Sequence, residues 1–202
     1  MMTYSHSYNG GITAEQFLFY EMRIASKLFL EREELEDAIE YIKKENLFQY
    51  PTEREVSRKT RACYKRLAAL NSEQLVYEIA YAPNEIAKQV NLYAMMRYNR
   101  LVWEFMIQVI GEKYRNQDFS FTKKDLSAFF IRLQAQDDSV STWSETTINK
   151  IKSVLVRVLI ETEYLDGLKD TTLKPVFLCE ELERGIKKNR DYDALPAFNY
   201  LR

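Results

Sequence analysis

A chain of 202 residues can close one sizeable core or two small ones, and 46% hydrophobic with 13% aromatic residues excludes a disordered polypeptide. The formal net charge of −1 gives no global attraction to polyanions, and Cys63 and Cys179 have no cysteine or histidine nearby to suggest zinc or a disulfide framework. No apolar run approaches the roughly 20 residues of a membrane helix, and the start lacks the apolar core of a signal peptide, so a cytoplasmic protein with no membrane association is expected.

Charge is nevertheless uneven. Residues 1–50 carry five Lys/Arg against nine Asp/Glu, residues 51–115 eleven against seven, and residues 116–202 thirteen against fourteen. With five glycines, four prolines and helical apolar spacing nearly throughout, the fold class is all-α with at most a small hairpin.

In chain order, residues 1–12 read as a polar leader, and Thr13-Ala14-Glu15-Gln16 has the spacing of a capping box opening a helix to about Leu30. Its apolar face carries Phe17, Tyr20, Ile24 and Leu28, with Glu21 among them. A second helix is expected from Glu33 to Asn46. Its acids Glu33, Glu34, Glu36, Asp37 and Glu40 either complement the helix dipole or offer an acidic patch to a protein partner. After Pro51, Thr52-Glu53-Arg54-Glu55 caps a third helix to about Leu70, whose buried stripe is Val56, Thr60, Cys63, Leu67 and Leu70. On its far side Arg54, Arg58, Arg61 and Lys65 recur at helical spacing, within about 60° of one another, with no acid interrupting them. Like charges in line cost a few tenths of a kcal/mol per pair in an isolated helix, a cost that bound phosphate would remove and a solvated face would simply bear.

A short helix follows over Ser72–Tyr81, then a long apolar helical region over Glu85–Arg115 with a break near Asn99. Asn116-Gln117-Asp118 is the best linker, dividing an N-terminal helical bundle (1–115) from a C-terminal region (116–202). That region reads as a helix over Phe121–Leu133, a turn at Gln136–Ser141, and a longer helix to about Thr162 capped by Thr142 or Ser144. A turn at Gly167 and a short strand over Thr171–Phe177 complete it. This is the order of a helix-turn-helix winged by a small β-hairpin.

The longer helix buries Ile148, Ile151, Leu155, Val158 and Leu159, while Thr146, Lys150, Ser153 and Arg157 line its other side; Lys152 must snorkel. In a major groove, Asn149 and Lys150 would reach base edges, with Ser153 beside them and Arg157 on phosphate. The acids Asp137, Asp138, Glu145 and Glu161 weigh against it, and a mostly buried helix showing its narrow solvated face is the plain alternative. A last helix over Cys179–Asn189 and an aromatic tail over Pro196–Leu201 complete the chain.

The single histidine, His6, lies in the leader, and no phosphate-cradling glycine motif occurs, so no catalytic residues, cofactor or metal are implied. The order and spacing of several groups carry a family resemblance. They are Gly10-Gly11, Phe17-Leu18 with Glu21 and Arg23, Glu45-Asn46-Leu47-Phe48, Arg66-Leu67 with Leu70, Phe129-Phe130, Trp143-Ser144 with Thr147 and Lys150-Ile151, and Tyr164-Leu165 before Gly167. With these the chain resembles the BrxA family of BREX (bacteriophage exclusion) defence systems. The resemblance implies an all-helical protein with similarity to the antitermination factor NusB, encoded beside a DNA methyltransferase and ATPases, with no established catalytic residues. Some relatives have been labelled inner-membrane proteins, which the broken apolar runs argue against. The resulting expectation is a non-enzymatic, DNA-binding accessory protein, a monomer or small oligomer, that works with those other components. The rivals are an adaptor that touches only protein, and an RNA binder.

Overall fold

The computed structural model describes residues 8–32 and 34–200. Helix α3 (Glu53–Ala69) starts where its cap predicts, with Thr52 extended and its hydroxyl accepting from the Glu55 N–H at 3.3 Å. The expected stripe from Val56 to Leu70 is buried, and α1 (Phe19–Leu30), α2 (Leu35–Lys44) and α5 (Asn84–Tyr98) all pack against this helix. Helix α4 (Glu73–Tyr81), capped by Ser72, lies against α1 and α5. Arg23 of α1 donates to the terminal carbonyls of α4, Ala80 at 3.3 Å and Ala82 at 3.0 Å, which the helix cannot satisfy itself.

Helix α1 departs from expectation. It begins at Phe19, not Thr13, behind Leu18 in the left-handed region (φ 54°). The cause is a long-range claim on the backbone. Arg66 of α3, 1% exposed, donates to the carbonyls of Glu15 and Phe17, and Asn91 of α5 donates to Phe17 O at 3.0 Å. Both lone pairs of the Phe17 carbonyl are taken by those side chains and the Glu15 carbonyl is engaged by Arg66, so the segment is satisfied outside a helix. The new phase turns Tyr20 outward, 54% exposed. The described part of the leader is not simply solvated: Asn9 is exposed, but Tyr8 and Ile12 join the core, and Gly11–Thr13 forms a 3₁₀ turn.

Asn99 breaks the long apolar region as predicted: it is extended and its side chain accepts from Leu101 and Val102 N–H groups at 3.0 and 3.3 Å, capping α6 (Arg100–Phe105). The next turn, Met106–Gly111, widens to a π-helix before α7 (Glu112–Arg115). A Cβ on Gly111 would sit 3.2 Å from Ala197 N, so glycine is what lets the 3₁₀ turn Tyr192–Phe198 dock there. The aromatic tail thus docks on the body as far as Tyr200, as expected; Leu201 lies outside the described residues.

At 116–118 the chain turns through Gln117 (φ 55°) and is pinned. Lys113 bridges Asp118 and Asp125, both at 2.9 Å, and Asp125 completes the capping box with Thr122 that opens α8 (Lys123–Gln136). Across this turn the apolar core is continuous, Phe105 meeting Phe121 and Phe129 at ring-centroid distances of 6.4 and 5.7 Å. Bonds from the Ser120 hydroxyl, Lys113 and the Ser120 N–H hold the Asp118 carboxyl down to about 2. Burial raises Asp125, but Lys113 and Thr122 outweigh it and leave it lowered. A depressed carboxylate stabilises the fold above its unfolded value near pH 4, and that contribution is lost as pH falls toward 2. Urea unfolding between pH 5 and 2 should therefore show an acid limb that is shallower in Asp118→Asn than in the natural sequence; superposable limbs would contradict the assignment.

Helix α9 (Asp138–Ser141) is a single turn, and α10 (Glu145–Glu161) follows it. The hairpin expected around Thr171–Phe177 does not form; no strand occurs among the described residues, only an isolated bridge between Ser120 and Thr172. Leu173 N donates to Phe119 O at 2.7 Å and Lys174 N, on the other edge, to Tyr164 O at 2.9 Å, but the next donor due toward Phe119 would be Pro175, which has no N–H with which to continue. Gln89 of α5 then clamps the segment, donating to Phe177 O at 2.9 Å and accepting from Cys179 N at 3.2 Å, where α11 (Glu180–Lys188) begins.

Candidate nucleic-acid interface

Ser144, not Thr142, caps α10: its hydroxyl accepts from Thr147 N at 3.2 Å. One turn earlier, Asp137 ends α8 and caps α9, accepting from Ser139 and Val140 N–H at 2.9 and 3.3 Å. The Ser139 hydroxyl, with those amides, holds the Asp137 carboxyl below the usual range. That acid is therefore committed to the turn. Glu161, at the far end of α10, has its carboxyl pushed up by burial. Ile148, Ile151, Val154, Leu155, Val158 and Leu159 are buried. Lys152 snorkels, its ammonium 5.7 Å from the Phe130 ring centroid and 3.2 Å from Ser127 Oγ on α8. The leader packs on this helix too, with Gly10 beside Ile151 and Thr147.

The opposite side of α10 is open. Thr146, Asn149, Lys150, Ser153 and Arg157 are all exposed, and among the described residues neither Lys150 nor Arg157 has an acid within ion-pair distance. Ser153 spends its hydroxyl proton on Asn149 O at 2.9 Å, which leaves its lone pairs outward.

The α3 ridge is less free than its sequence implied. Arg54, Arg58 and Lys65 are exposed and Arg61 partly so, but Glu55 reaches Arg58 at 3.4 Å. Glu36 of α2 takes Arg61 through both carboxylate oxygens at 2.8 and 2.9 Å. The row of four cations thus holds two, Arg54 and Lys65, with no ion pair among the described residues, flanking two that Glu55 and Glu36 partly neutralise. Such exposed pairs contribute at most about 1 kcal/mol, so a polyanion could displace the acids. The two surfaces sit on different supports: α3 on α1, α2 and α5, and α10 against the Gly11–Thr13 turn and α8. Sequence reasoning missed Arg66, Asn91 and Glu36 as determinants here. The order of cations along α3 could not have separated Arg66 from Lys65 except by its 100° offset toward the apolar stripe.

Among the described residues no helix is long and apolar enough to cross a membrane. A solved structure of an uncharacterized protein from Magnetospirillum magneticum has the same fold at a TM-score of 0.81, covering 95% of this chain and 97% of that one at 20% identity. A family model described as BrxA matches residues 6–190. The BREX protein BrxA of Bacillus cereus (strain H3081.97) is 35% identical over 168 residues, 80% of each chain. That of Paramagnetospirillum magneticum (strain ATCC 700264 / AMB-1) is 22% identical over 171 residues, 85% of each. A family match across most of the length, with a relative of this identity, establishes that the chain belongs to the BrxA family of BREX antiviral defence proteins.

Proposed function

We propose that this chain is a non-enzymatic DNA-binding accessory component of its BREX system, acting beside the methyltransferase and ATPases. The observation that carries this reading is the exposed face of α10, where Asn149, Lys150, Ser153 and Arg157 lie opposite the buried face and neither cation forms an ion pair among the described residues. In this reading α8, α9 and α10 act as a helix-turn-helix without a wing. Residues 116–202 present α10 to a duplex, and residues 1–115, in a NusB-like bundle, add phosphate contacts from α3. Arg54 and Lys65 contribute most there, and Arg58 and Arg61 contribute after releasing Glu55 and Glu36.

One observation favours a second reading. Half of the α3 ridge is satisfied internally, as on the ordinary surface of an adaptor that binds only other defence proteins. A third, RNA binding, rests on the NusB similarity alone. Gel shifts with duplex DNA, single-stranded DNA and RNA of equal length separate all three. The proposal expects duplex binding in the range of about 10⁻⁴ to 10⁻⁶ M at physiological salt, weaker for the single strand and the RNA. No complex with any of them at about 10⁻⁴ M would leave the adaptor reading, and preference for RNA would leave the third.

A further inference from the structure

Helices α1 and α2 are consecutive, and both rest on α3, yet they barely touch each other. The space between them is a surface groove of about 560 Å³ lined by Ile24, Lys27, Leu28, Glu31, Tyr41 and Leu47. Tyr20 ties its two walls together at one end, donating to Leu47 O at 3.1 Å. Past α1, Tyr77 and Tyr81 of α4 meet as tilted rings at 4.9 Å, each half exposed, with the Lys27 ammonium 5.8 Å from the Tyr81 centroid. Exposed tyrosine, with an apolar ring and a polar tip, is a residue type enriched where proteins meet.

The charge around the groove is selective. On α2, Glu36 and Glu40 are matched by Arg61 and Lys43 at 2.8 Å each. Asp37 and Glu45 lie one turn before and one turn after Tyr41, on the groove side. Together with Glu31 at the rim and Glu34 at the start of α2 they are exposed, and none has a cationic partner among the described residues. Of these acids Glu31 lines the groove itself, beside the cation Lys27, and helical phase places Asp37 and Glu45, with Lys44 between them, toward Tyr41, so the balance on this side is two cations, Lys27 and Lys44, against the four acids Glu31, Glu34, Asp37 and Glu45.

We propose that this groove receives an amphipathic helix from a partner protein, apolar along one face and lined with Lys or Arg at its edges. An apolar trough between two helices takes a third by the helix-in-groove mode, with anchors at helical spacing. Unmatched carboxylates along the trough select basic flanks and speed encounter. The same carboxylates repel phosphate, so the occupant is a protein and not the nucleic acid of α10. This surface does not depend on the DNA reading, and either can fail alone.

The probe is a fluorescein-labelled synthetic helix of about five turns, with leucines along one face and lysines flanking them. Its controls are a scrambled isomer of identical composition and an analogue with glutamates for the lysines. Fluorescence anisotropy with the full-length protein should give micromolar binding of the first peptide alone. Tyr41→Asp in the groove wall, or Asp37→Lys with Glu45→Lys on its rim, should each weaken it by about tenfold or more. All three substituted positions are exposed, so helicity by circular dichroism should match the natural sequence. Charge reversal of Lys150 and Arg157 should leave peptide binding unchanged. Equal binding of the scrambled isomer, retention of binding by both groove variants, or competition by duplex DNA for the groove would overturn the proposal.

Discussion

Replacing Asp191 with alanine is expected to cost about 3 to 5 kcal/mol, because it strands a charge in the core. Asp191, 2% exposed, accepts from the Arg97 guanidinium and from the Tyr93 hydroxyl at 2.7 Å. Arg97 also donates to Ala69 O, and Asn189 joins Leu70 O and the Tyr93 oxygen at 2.9 and 3.1 Å. One cluster thereby ties α5, the end of α3 and the turn after α11. Burial, reinforced by Asp191, pushes the Tyr93 phenol upward, so it stays a donor at any ordinary pH. The paired change Arg97→Met with Asp191→Leu removes both charges and should cost far less than either loss alone. Denaturant unfolding checks this. A single Asp191 variant within about 1 kcal/mol of the natural sequence would mean that the pair is solvated when folded, against the expectation for a buried pair.

Arg66→Met should cost about 2 to 4 kcal/mol, since bonds from a charged donor to two backbone carbonyls are lost together. Burial lowers the affinity of this guanidinium for its proton, yet its hydrogen bonds to Glu15 and Phe17 keep it in place without an ion pair among the described residues. Arg66→Lys should not restore the loss, because a single ammonium cannot reproduce the planar fork. Cys63, one turn away on α3 and fully buried, reports on the site: burial pushes its thiol up to about 12. In a Cys179→Ser background, Cys63 should resist alkylation in the natural sequence and react markedly faster in Arg66→Met as the segment before α1 opens. Unchanged labelling and unchanged stability would contradict this role.

These two clusters also mark what the sequence could and could not disclose. Helix α3 was legible because its cap, its stripe and its exposed face all obey local spacing. The buried face of α10, the snorkelling of Lys152 and the break at Asn99 follow from the same rule. The start of α1 was not legible, since the carbonyls of Glu15 and Phe17 are taken by side chains on α3 and α5, far along the chain. The close approach of Ala197 to Gly111 joins segments far apart in the chain, and β-branched Thr171, Thr172 and Val176 fail as a strand because Pro175 lacks the donor that would continue the pairing with Phe119. The candidate interface was partly legible in the same sense. Exposure of Asn149, Lys150, Ser153 and Arg157 follows from helical phase, whereas pairing of Arg61 with Glu36 is tertiary and has no local signal.

The most direct measurement of the DNA-binding account is the salt dependence of duplex affinity in three proteins: the natural sequence, Lys150→Glu with Arg157→Glu, and Arg54→Glu with Lys65→Glu. Each phosphate contact contributes about −0.9 to the slope of log K against log salt, so each double variant should flatten the slope by roughly 1.8 and weaken binding. Reversing Arg58 and Arg61 instead should have a smaller effect, because Glu55 and Glu36 already partly neutralise them. Folded double variants whose affinity and slope both match the natural sequence would show that α10 and α3 present only solvated faces, and would contradict the account.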